Sequence, residues 1–224
     1  MKSESPEQKR DRVKRIVATL KKTHPDAKLA LDFSNPLELL VALVLAAQAR
    51  DDLVNVVTRD LFKKYRTAKD WTRLPESEVS RINFYRQKTR SICHAASMLV
   101  KDFGGKVPDN MDDLLKLPGV GRKTANAILA NAFGEPAIVV DTHTWRLSQR
   151  LGLTKKDDQD KIEADLVNIV PRKDWTKFCH LLQFHGRRVC TARNPNCPNC
   201  SITKLCPKIG VKPSLRDAEG LGRQ

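Results

Sequence analysis

The segment from Met111 to Phe133 constrains the fold of this chain more than any other, because it predicts two helices joined by a very short turn. It reads MDDLLKLPGVGRKTANAILANAF, with Gly119 and Gly121 on either side of Val120. Glycine lets the backbone turn sharply and approach a ligand closely, and Val120 is expected to plug the core. The amides of such a turn and of the following helix N-terminus favour an anion such as a phosphate. A glycine turn by itself is equally typical of a plain helix–helix connection.

The rest of the chain also follows helical periodicity, so the predicted fold class is all-α. Apolar spacing and helix breakers predict further helices at 7–22, 36–47, 53–62, 92–100, 142–151, 159–170 and 175–184. The run LLVALVLAA at 39–47 is far shorter than the roughly 20 residues of a membrane span. It therefore predicts a core helix that is buried on every side. The segment 137–140 favours a short extended conformation.

Composition excludes a disordered chain and favours an anionic partner. Of the 224 residues 40% are apolar, which is enough for a hydrophobic core, and the net charge is +15. A basic surface of this size favours a polyanion, most commonly nucleic acid, although a basic protein without such a partner has the same charge. The N-terminus MKSESPEQKR lacks the apolar stretch of a secretory signal, so we expect a cytoplasmic, nucleoid-associated protein with no membrane contact.

Four of the six cysteines lie close together near the C-terminus and predict a metal site. In a reducing compartment such crowding indicates metal ligands rather than disulfides. The spacing is C-x6-C-x2-C-x5-C, with only one C-x2-C pair, whereas a zinc ribbon usually has two. An iron–sulfur cluster accepts uneven spacing because its ligands bind separate irons. The spacing favours a cluster and leaves zinc as the alternative. The predicted ligands are Cys190, Cys197, Cys200 and Cys206.

Two further residues combine reactive groups with predicted helix starts. Lys123 follows the glycine turn directly, and both the positive end of a helix dipole and the neighbouring Arg122 favour its neutral, nucleophilic form. An ordinary solvated lysine is the alternative interpretation. Asp141, in the string VVDTHTWR, is expected to cap a helix, where it stays ionised and rigid. Such a carboxylate can accept a proton or stabilise a cationic sugar.

The strings LPGVGRKTA and VVDTH, together with the cysteine loop, resemble the endonuclease III family of helix-hairpin-helix DNA glycosylases. The resemblance extends from about residue 8 to residue 208. It implies two helical domains: a six-helix barrel at 28–136 containing the hairpin, and a second domain, made of 1–27 and 137–210, that carries a 4Fe-4S cluster. The residues 211–224 are expected to form a flexible tail.

The resemblance also implies a reaction. The family removes damaged bases from double-stranded DNA after flipping the nucleotide into a pocket between two domains, and cleaves the strand at the abasic site. It implies that Lys123 is the nucleophile, that Asp141 is its partner, and that oxidised pyrimidines are the substrates of a monomeric enzyme. A monofunctional glycosylase and a non-catalytic DNA-binding module are the alternatives.

Several DNA contacts are implied by the same resemblance. Gln48 matches a residue that enters the duplex, and a capping role at a helix end is its alternative. Phe84 matches an apolar wedge, and a core aromatic is an equally good interpretation. Lys88 and Arg193 are expected to contact phosphates, and His143 is expected to lie near the DNA-binding site. The remaining predicted DNA contacts are in the hairpin: Gly119, Val120, Gly121 and Arg122.

Overall fold

The structure is a computed structural model that describes residues 4–211. These residues form two compact units: Leu29–Glu135 is one, and the chain up to Lys28 together with the chain from Pro136 onward forms the other. The part that the structure describes contains no strand, which confirms the all-α prediction, and the segment 137–140 is irregular. In the same part, no helix is long and apolar enough to cross a membrane. Apart from Val211, the predicted flexible tail lies outside the described residues.

The central unit contains six α-helices and one short 3-10 helix at Glu76–Val79. The α-helices are α2 (Pro36–Ala46), α3 (Asp51–Lys64), α4 (Ala68–Trp71), α5 (Tyr85–Asp102), α6 (Met111–Leu114) and α7 (Arg122–Ala132). Helix α2 packs against α3, α5 and α7, so it occupies the centre of the unit. Its side chains from Leu39 to Leu45 are buried apart from Leu43, as its apolar sequence predicts.

The second unit joins the N-terminal helix to the C-terminal part of the chain. Its α-helices are α1 (Pro6–Thr23), α8 (Thr142–Arg150), α9 (Gln159–Ile169) and α10 (Trp175–Arg188). Helix α10 packs against both α1 and α8, and α9 packs against the same two helices. Ile16, Leu20, Phe178 and Leu182 are among its fully buried side chains. The cysteine loop follows α10 and contains a 3-10 helix at Thr203–Leu205.

Capping residues fix several of the helix starts. Ser5 and Gln8 form a reciprocal capping box at the start of α1, with Pro6 in its first turn. The Asn35 side chain accepts from the Glu38 amide at 3.0 Å at the start of α2, which confirms the predicted helix start there.

Several helices are longer than predicted, α5 and α10 among them, and α4 was not predicted. Helix α5 begins at Tyr85 instead of Ile92, because its first two turns bury the polar residues Lys88 and Thr89 and so lack an apolar pattern. Helix α10 continues past Phe184 to Arg188. Apolar periodicity therefore located the longer helices, but it missed the four-residue α4 and the turns of α5 and α10 whose buried faces are polar.

Candidate functional site

The turn between α6 and α7 holds the two hairpin glycines in different conformations. Gly119 has φ +83°, which disfavours any side chain, and a Cβ at this position would lie 2.9 Å from the Ser91 Cβ. Gly121 has φ −96°, and no atom of the described residues lies within 4 Å of the position its Cβ would take. Val120 is buried in the core, as predicted, and its amide donates to the Leu117 carbonyl at 3.0 Å. Backbone geometry therefore requires glycine at 119 but not at 121.

The start of α7 presents Lys123 next to uncapped backbone amides. Gly121 is the N-cap and has no side chain to accept from the first amides of the helix. An uncapped helix N-terminus of this kind can bind an external anion through its N–H groups and its dipole. Arg122 and Lys123 are the first two residues of the helix, and both side chains are exposed. The hairpin thus combines an anion site with an accessible amine.

Asp141 is the N-cap of α8, as predicted. One oxygen of its carboxylate accepts from the Thr144 amide at 2.7 Å, and the other accepts from the Gln183 Nε2 at 3.3 Å. The two hydrogen bonds use different oxygens, so they fix the orientation of the carboxylate as well as its position. Gln183 was not predicted, although a glutamine inside the apolar stretch of α10 was the available signal.

Helix α8 approaches α10 closely at Gly186. A Cβ at this glycine would lie 2.7 Å from the His143 Nδ1 and 3.0 Å from the Arg146 Nη2. The Arg146 guanidinium lies 3.2 Å from the His143 ring and donates to the carbonyls of Gly186 and Cys190, both at 3.0 Å. His143 is therefore half-buried between two helices, and its predicted proximity to DNA stays a prediction.

Gln48 and Phe84 both have a left-handed backbone conformation, with φ 53° and φ 57°. This conformation costs a residue other than glycine about 1 kcal/mol or more, so the surrounding structure must hold both residues in place. The Asn83 side chain links the two segments by donating to the Gln48 carbonyl at 3.4 Å. The Phe84 side chain is 61% exposed, so its interpretation as a core aromatic is wrong. The Gln48 side chain is also exposed, and the insertion of both residues into DNA stays a prediction.

Lys88 is not positioned to contact a phosphate, and this expectation is wrong. Its side chain is buried, with 6% exposed, and its ammonium donates to the Leu45 carbonyl at 2.8 Å and the Ala47 carbonyl at 2.5 Å. Burial lowers the pKa of this amine. Both carbonyls belong to the C-terminal end of α2, where a cation is favourable. Lys88 therefore anchors the end of the helix that leads into Gln48.

The four predicted metal ligands line one cavity, which has about 400 Å³ of empty space, part of it open to solvent. Burial, reinforced by the charges of Cys190, Cys206 and Cys197, raises the pKa of the Cys200 thiol to about 11. Burial likewise raises the pKa of Cys206. Sulfur atoms in such a setting become thiolates only when a positively charged group compensates their charge, as a bound metal does.

Donor groups surround the sulfur atoms of this cavity. The Arg150 Nη1 donates to the Cys190 Sγ at 3.2 Å, and the Lys208 amide donates to the Cys206 Sγ at 3.3 Å. The same Arg150 donates to the Thr191 and Ala192 carbonyls, both at 2.7 Å, and so fixes the start of the loop. Sequence reasoning missed Arg150, although its spacing of four residues from Arg146 places both on one face of α8.

The loop also displays Arg193, whose side chain is exposed. Its predicted phosphate contact stays a prediction. Across residues 4–211, no group of three or more His, Cys, Asp or Glu side chains is arranged to hold a metal ion. Four cysteines nevertheless line one cavity, and N–H groups donate to the sulfur atoms of Cys190 and Cys206.

Comparisons with known proteins show which family this chain is similar to. The sequence profile of the HhH-GPD superfamily of base excision DNA repair proteins matches residues 41–172. The endonuclease III of Synechocystis sp. is 45% identical over 204 residues, which cover 89% of this chain and 93% of that protein. The endonuclease III of Bacillus subtilis is 45% identical over 202 residues, covering 88% and 90%. The Escherichia coli endonuclease III is 36% identical over 195 residues, covering 85% and 92%.

Solved structures of endonuclease III are also similar to this chain. A trapped covalent intermediate between an endonuclease III and DNA superimposes with a TM-score of 0.84 and 43% identity, covering 89% of this chain and 96% of that chain. A non-covalent complex of an endonuclease III with DNA gives the same TM-score and identity. A thermostable thymine-DNA glycosylase, at 23% identity and a TM-score of 0.77, shares the fold.

Proposed function

Because this chain belongs to the endonuclease III family of the HhH-GPD superfamily, it is a DNA glycosylase and AP lyase of base excision repair, and we propose that Lys123 and Asp141 carry its chemistry. The observation that carries this proposal is the position of Lys123, which is exposed in the first turn of a helix whose uncapped amides suit a backbone phosphate. The trapped covalent complex of a relative with DNA supports a nucleophilic mechanism.

The proposed reaction starts with attack of the neutral Lys123 amine on C1′ of the flipped deoxyribose. The bond between C1′ and the damaged base breaks, and the base leaves with its electron pair. Opening of the sugar ring gives a protonated Schiff base between C1′ and the Lys123 nitrogen. Removal of a proton from C2′ then expels the phosphate oxygen from C3′, which breaks the strand on the 3′ side of the lesion. Hydrolysis of the Schiff base returns the free amine.

Asp141 is proposed to take up a proton from Lys123 or to stabilise the positive charge that develops on the sugar. Its hydrogen bonds with the Thr144 amide and the Gln183 side chain support this role, because they hold the carboxylate in one orientation. Gln183 is therefore proposed as a positioning residue for the carboxylate.

DNA recognition is proposed to combine phosphate contacts with insertion into the duplex. The hairpin from Gly119 to Arg122 and the exposed Arg193 are proposed to hold the backbone without reading sequence. Gln48 and Phe84 are proposed to fill the gap left by the flipped nucleotide and to unstack a neighbouring base step. The substrates proposed are oxidised pyrimidines in duplex DNA. Because electrostatic contacts dominate, binding should weaken steeply with salt.

The cysteine loop is proposed to hold a 4Fe-4S cluster. The ligands would be Cys190, Cys197, Cys200 and Cys206, which share one cavity, with N–H donors beside the sulfur atoms of Cys190 and Cys206. When bound, the cluster would cross-link the loop covalently and so hold Arg193 towards a phosphate. A brown protein that contains iron and labile sulfide would support the cluster, and a colourless zinc protein would refute it.

Each of the two units is proposed to have its own role. We propose that residues 28–136 form a barrel domain for lesion capture and that 1–27 with 137–210 form the cluster domain. A monomer is proposed to act on chromosomal DNA in the cytoplasm, at the nucleoid.

Borohydride trapping tests the nucleophile. Reduction during turnover on a lesion-bearing duplex should yield a covalent protein–DNA adduct whose modified residue, identified by peptide mass spectrometry, is Lys123. Lys123→Ala should abolish the adduct, whereas Lys101→Ala, at another exposed lysine, should leave its yield unchanged. An undiminished yield with Lys123→Ala would refute the assignment.

The same duplex tests the class of enzyme. Strand breaks without alkali are expected from a glycosylase with lyase activity. Breaks that appear only after alkali would indicate a monofunctional glycosylase, and binding without release of base would indicate a non-catalytic module.

A further inference from the structure

Two buried histidines form a hydrogen-bonded chain that ends at one of the cysteine sulfurs. The His24 Nε2 lies 3.1 Å from the His185 Nδ1, and the His185 Nε2 lies 3.3 Å from the Cys200 Sγ. The two rings meet edge to face with their centroids 5.3 Å apart. The chain therefore connects the end of α1, through the last turn of α10, to the cysteine loop.

Both rings are held rigidly by their surroundings. His24 is 3% exposed and His185 is 1% exposed. The His24 amide donates to the Leu20 carbonyl at 2.8 Å, which closes the last turn of α1. The His185 carbonyl accepts from the Val189 and Cys190 amides at 2.9 and 2.8 Å, so its backbone is tied to the start of the loop. The backbone hydrogen bonds fix the positions of both residues, and neither buried ring can turn away without disrupting the core packing around it.

The direction of the hydrogen bonds follows from the chemistry of the sulfur. A cysteine that binds a metal is a thiolate and can only accept, so the contact with Cys200 requires a proton on the His185 Nε2. In neutral His185 the Nδ1 is then an acceptor, and the His24 Nε2 must be the donor. This leaves the His24 Nδ1 without a proton, in agreement with its burial without a hydrogen-bond partner among residues 4–211. Each ring thus fixes the tautomer of the next.

We propose that His185 donates a hydrogen bond to the Cys200 sulfur and that His24 fixes the tautomer that makes this possible, so that the pair sets the reduction potential of the cluster. The inference rests on the proposed 4Fe-4S cluster and assigns a role to two residues outside the ligand set. A hydrogen bond withdraws electron density from a ligand sulfur and stabilises the more negatively charged, reduced cluster. Removing the bond should therefore make the potential more negative.

Three variants of the intact protein test the proposal. His185→Leu removes the donor, His185→Gln retains an amide N–H at a similar reach, and His24→Leu removes the residue that fixes the tautomer. Voltammetry of the iron-loaded proteins should give a clear negative shift for His185→Leu, a smaller negative shift for His24→Leu, and a potential near that of the wild type for His185→Gln. His94→Leu, at an exposed histidine of the other unit, is the matched control and should cause no shift.

Resonance Raman spectra provide a second readout that a purely structural role would not change. Exchange into D2O should shift an iron–cysteine stretching band in the wild type and in His185→Gln, and this sensitivity should be lost in His185→Leu. Iron and labile sulfide contents are measured for each variant. If His185→Leu does not assemble a cluster, His24→Leu, which leaves every contact with Cys200 in place, decides the question.

The outcomes distinguish failure of the cluster from failure of the histidine pair. A wild-type protein that contains no iron and no sulfide would refute the proposed cluster itself. An iron-loaded wild type whose potential equals that of His185→Leu would overturn the histidine inference and leave the cluster standing. The histidine inference is also overturned if His185→Leu fails to assemble and His24→Leu has the wild-type potential. Equal shifts for His185→Gln and His185→Leu would overturn it as well, because only one of them lacks the donor.

Discussion

The hairpin makes a sharp prediction, because Gly119 and Gly121 stand in one turn but differ in what an added methyl group would meet. In Gly119→Ala the new Cβ would lie 2.9 Å from the Ser91 Cβ, a contact that requires α5 or the turn to move. The left-handed φ of +83° is also unfavourable for alanine. In Gly121→Ala the methyl group would meet no atom within 4 Å in the part of the chain that the structure describes, and φ is −96°.

The expected loss of stability has two sources, the left-handed backbone at position 119 and the close contact with the Ser91 Cβ. A residue with a Cβ pays about 1–2 kcal/mol for a left-handed backbone, and overpacking against an atom that cannot rotate away costs about 1–3 kcal/mol. Gly119→Ala should therefore destabilise the unit by about 2–5 kcal/mol. Gly121→Ala removes a favourable N-cap residue but introduces no strain, so its cost should stay below about 1 kcal/mol.

Urea unfolding monitored by far-ultraviolet circular dichroism measures both variants, and proteolysis within the transition shows whether the two units unfold together. Fluorescence anisotropy with an abasic duplex measures DNA binding, which Gly119→Ala should weaken on any sequence because the hairpin is proposed to hold the DNA backbone. Equal losses of stability in the two glycine variants would refute the reasoning.

A double-mutant cycle with Ser91→Gly separates the cost of the close contact from the cost of the left-handed backbone. This change removes the Ser91 Cβ, so Gly119→Ala should cost about 1–3 kcal/mol less in that background. Ser91→Ala retains the Cβ and should give no such relief. A coupling energy near zero would show that the close contact contributes nothing to the cost.

Three other positions give independent predictions. Gly186→Ala should destabilise the second unit by about 1–3 kcal/mol, because the new Cβ would meet His143. His143 lies on α8, the helix that Asp141 caps, so base release should also be slower. A variant with normal kcat and normal stability would contradict this prediction. Lys88→Met should cost about 2–4 kcal/mol in urea unfolding by leaving the two carbonyls at the end of α2 without their charged donor, and a loss below about 1 kcal/mol would refute the anchoring role. Burial, with the charge of Lys177, lowers the pKa of His180 to about 4, so the unfolded chain binds a proton between pH 6.5 and 4 that the folded protein does not. Stability should fall by up to about 3 kcal/mol as the pH drops through this window, and His180→Gln should flatten the decline; a parallel decline in both proteins would contradict it.

Much of the fold and several site features could be predicted from the sequence because they are determined locally. Apolar periodicity gave the all-α class and the buried α2, and the side chain of Asp141 marked a helix start because a capping residue bonds an amide only three residues away. The glycine turn and the cysteine spacing are likewise contiguous in the chain, so their motifs could be recognised without coordinates.

Only the tertiary structure determined the side-chain contacts between residues that are distant in the chain. Lys88 looks like a surface lysine in the sequence, but packing against α2 buries it and assigns its donors to carbonyls more than forty residues earlier. Gln183 reaches Asp141, and His24 meets His185, only because α10 packs against both α8 and α1. A polar side chain carries no sequence signal for its partner when folding brings the two together, whereas a cap, a turn or a ligand spacing does.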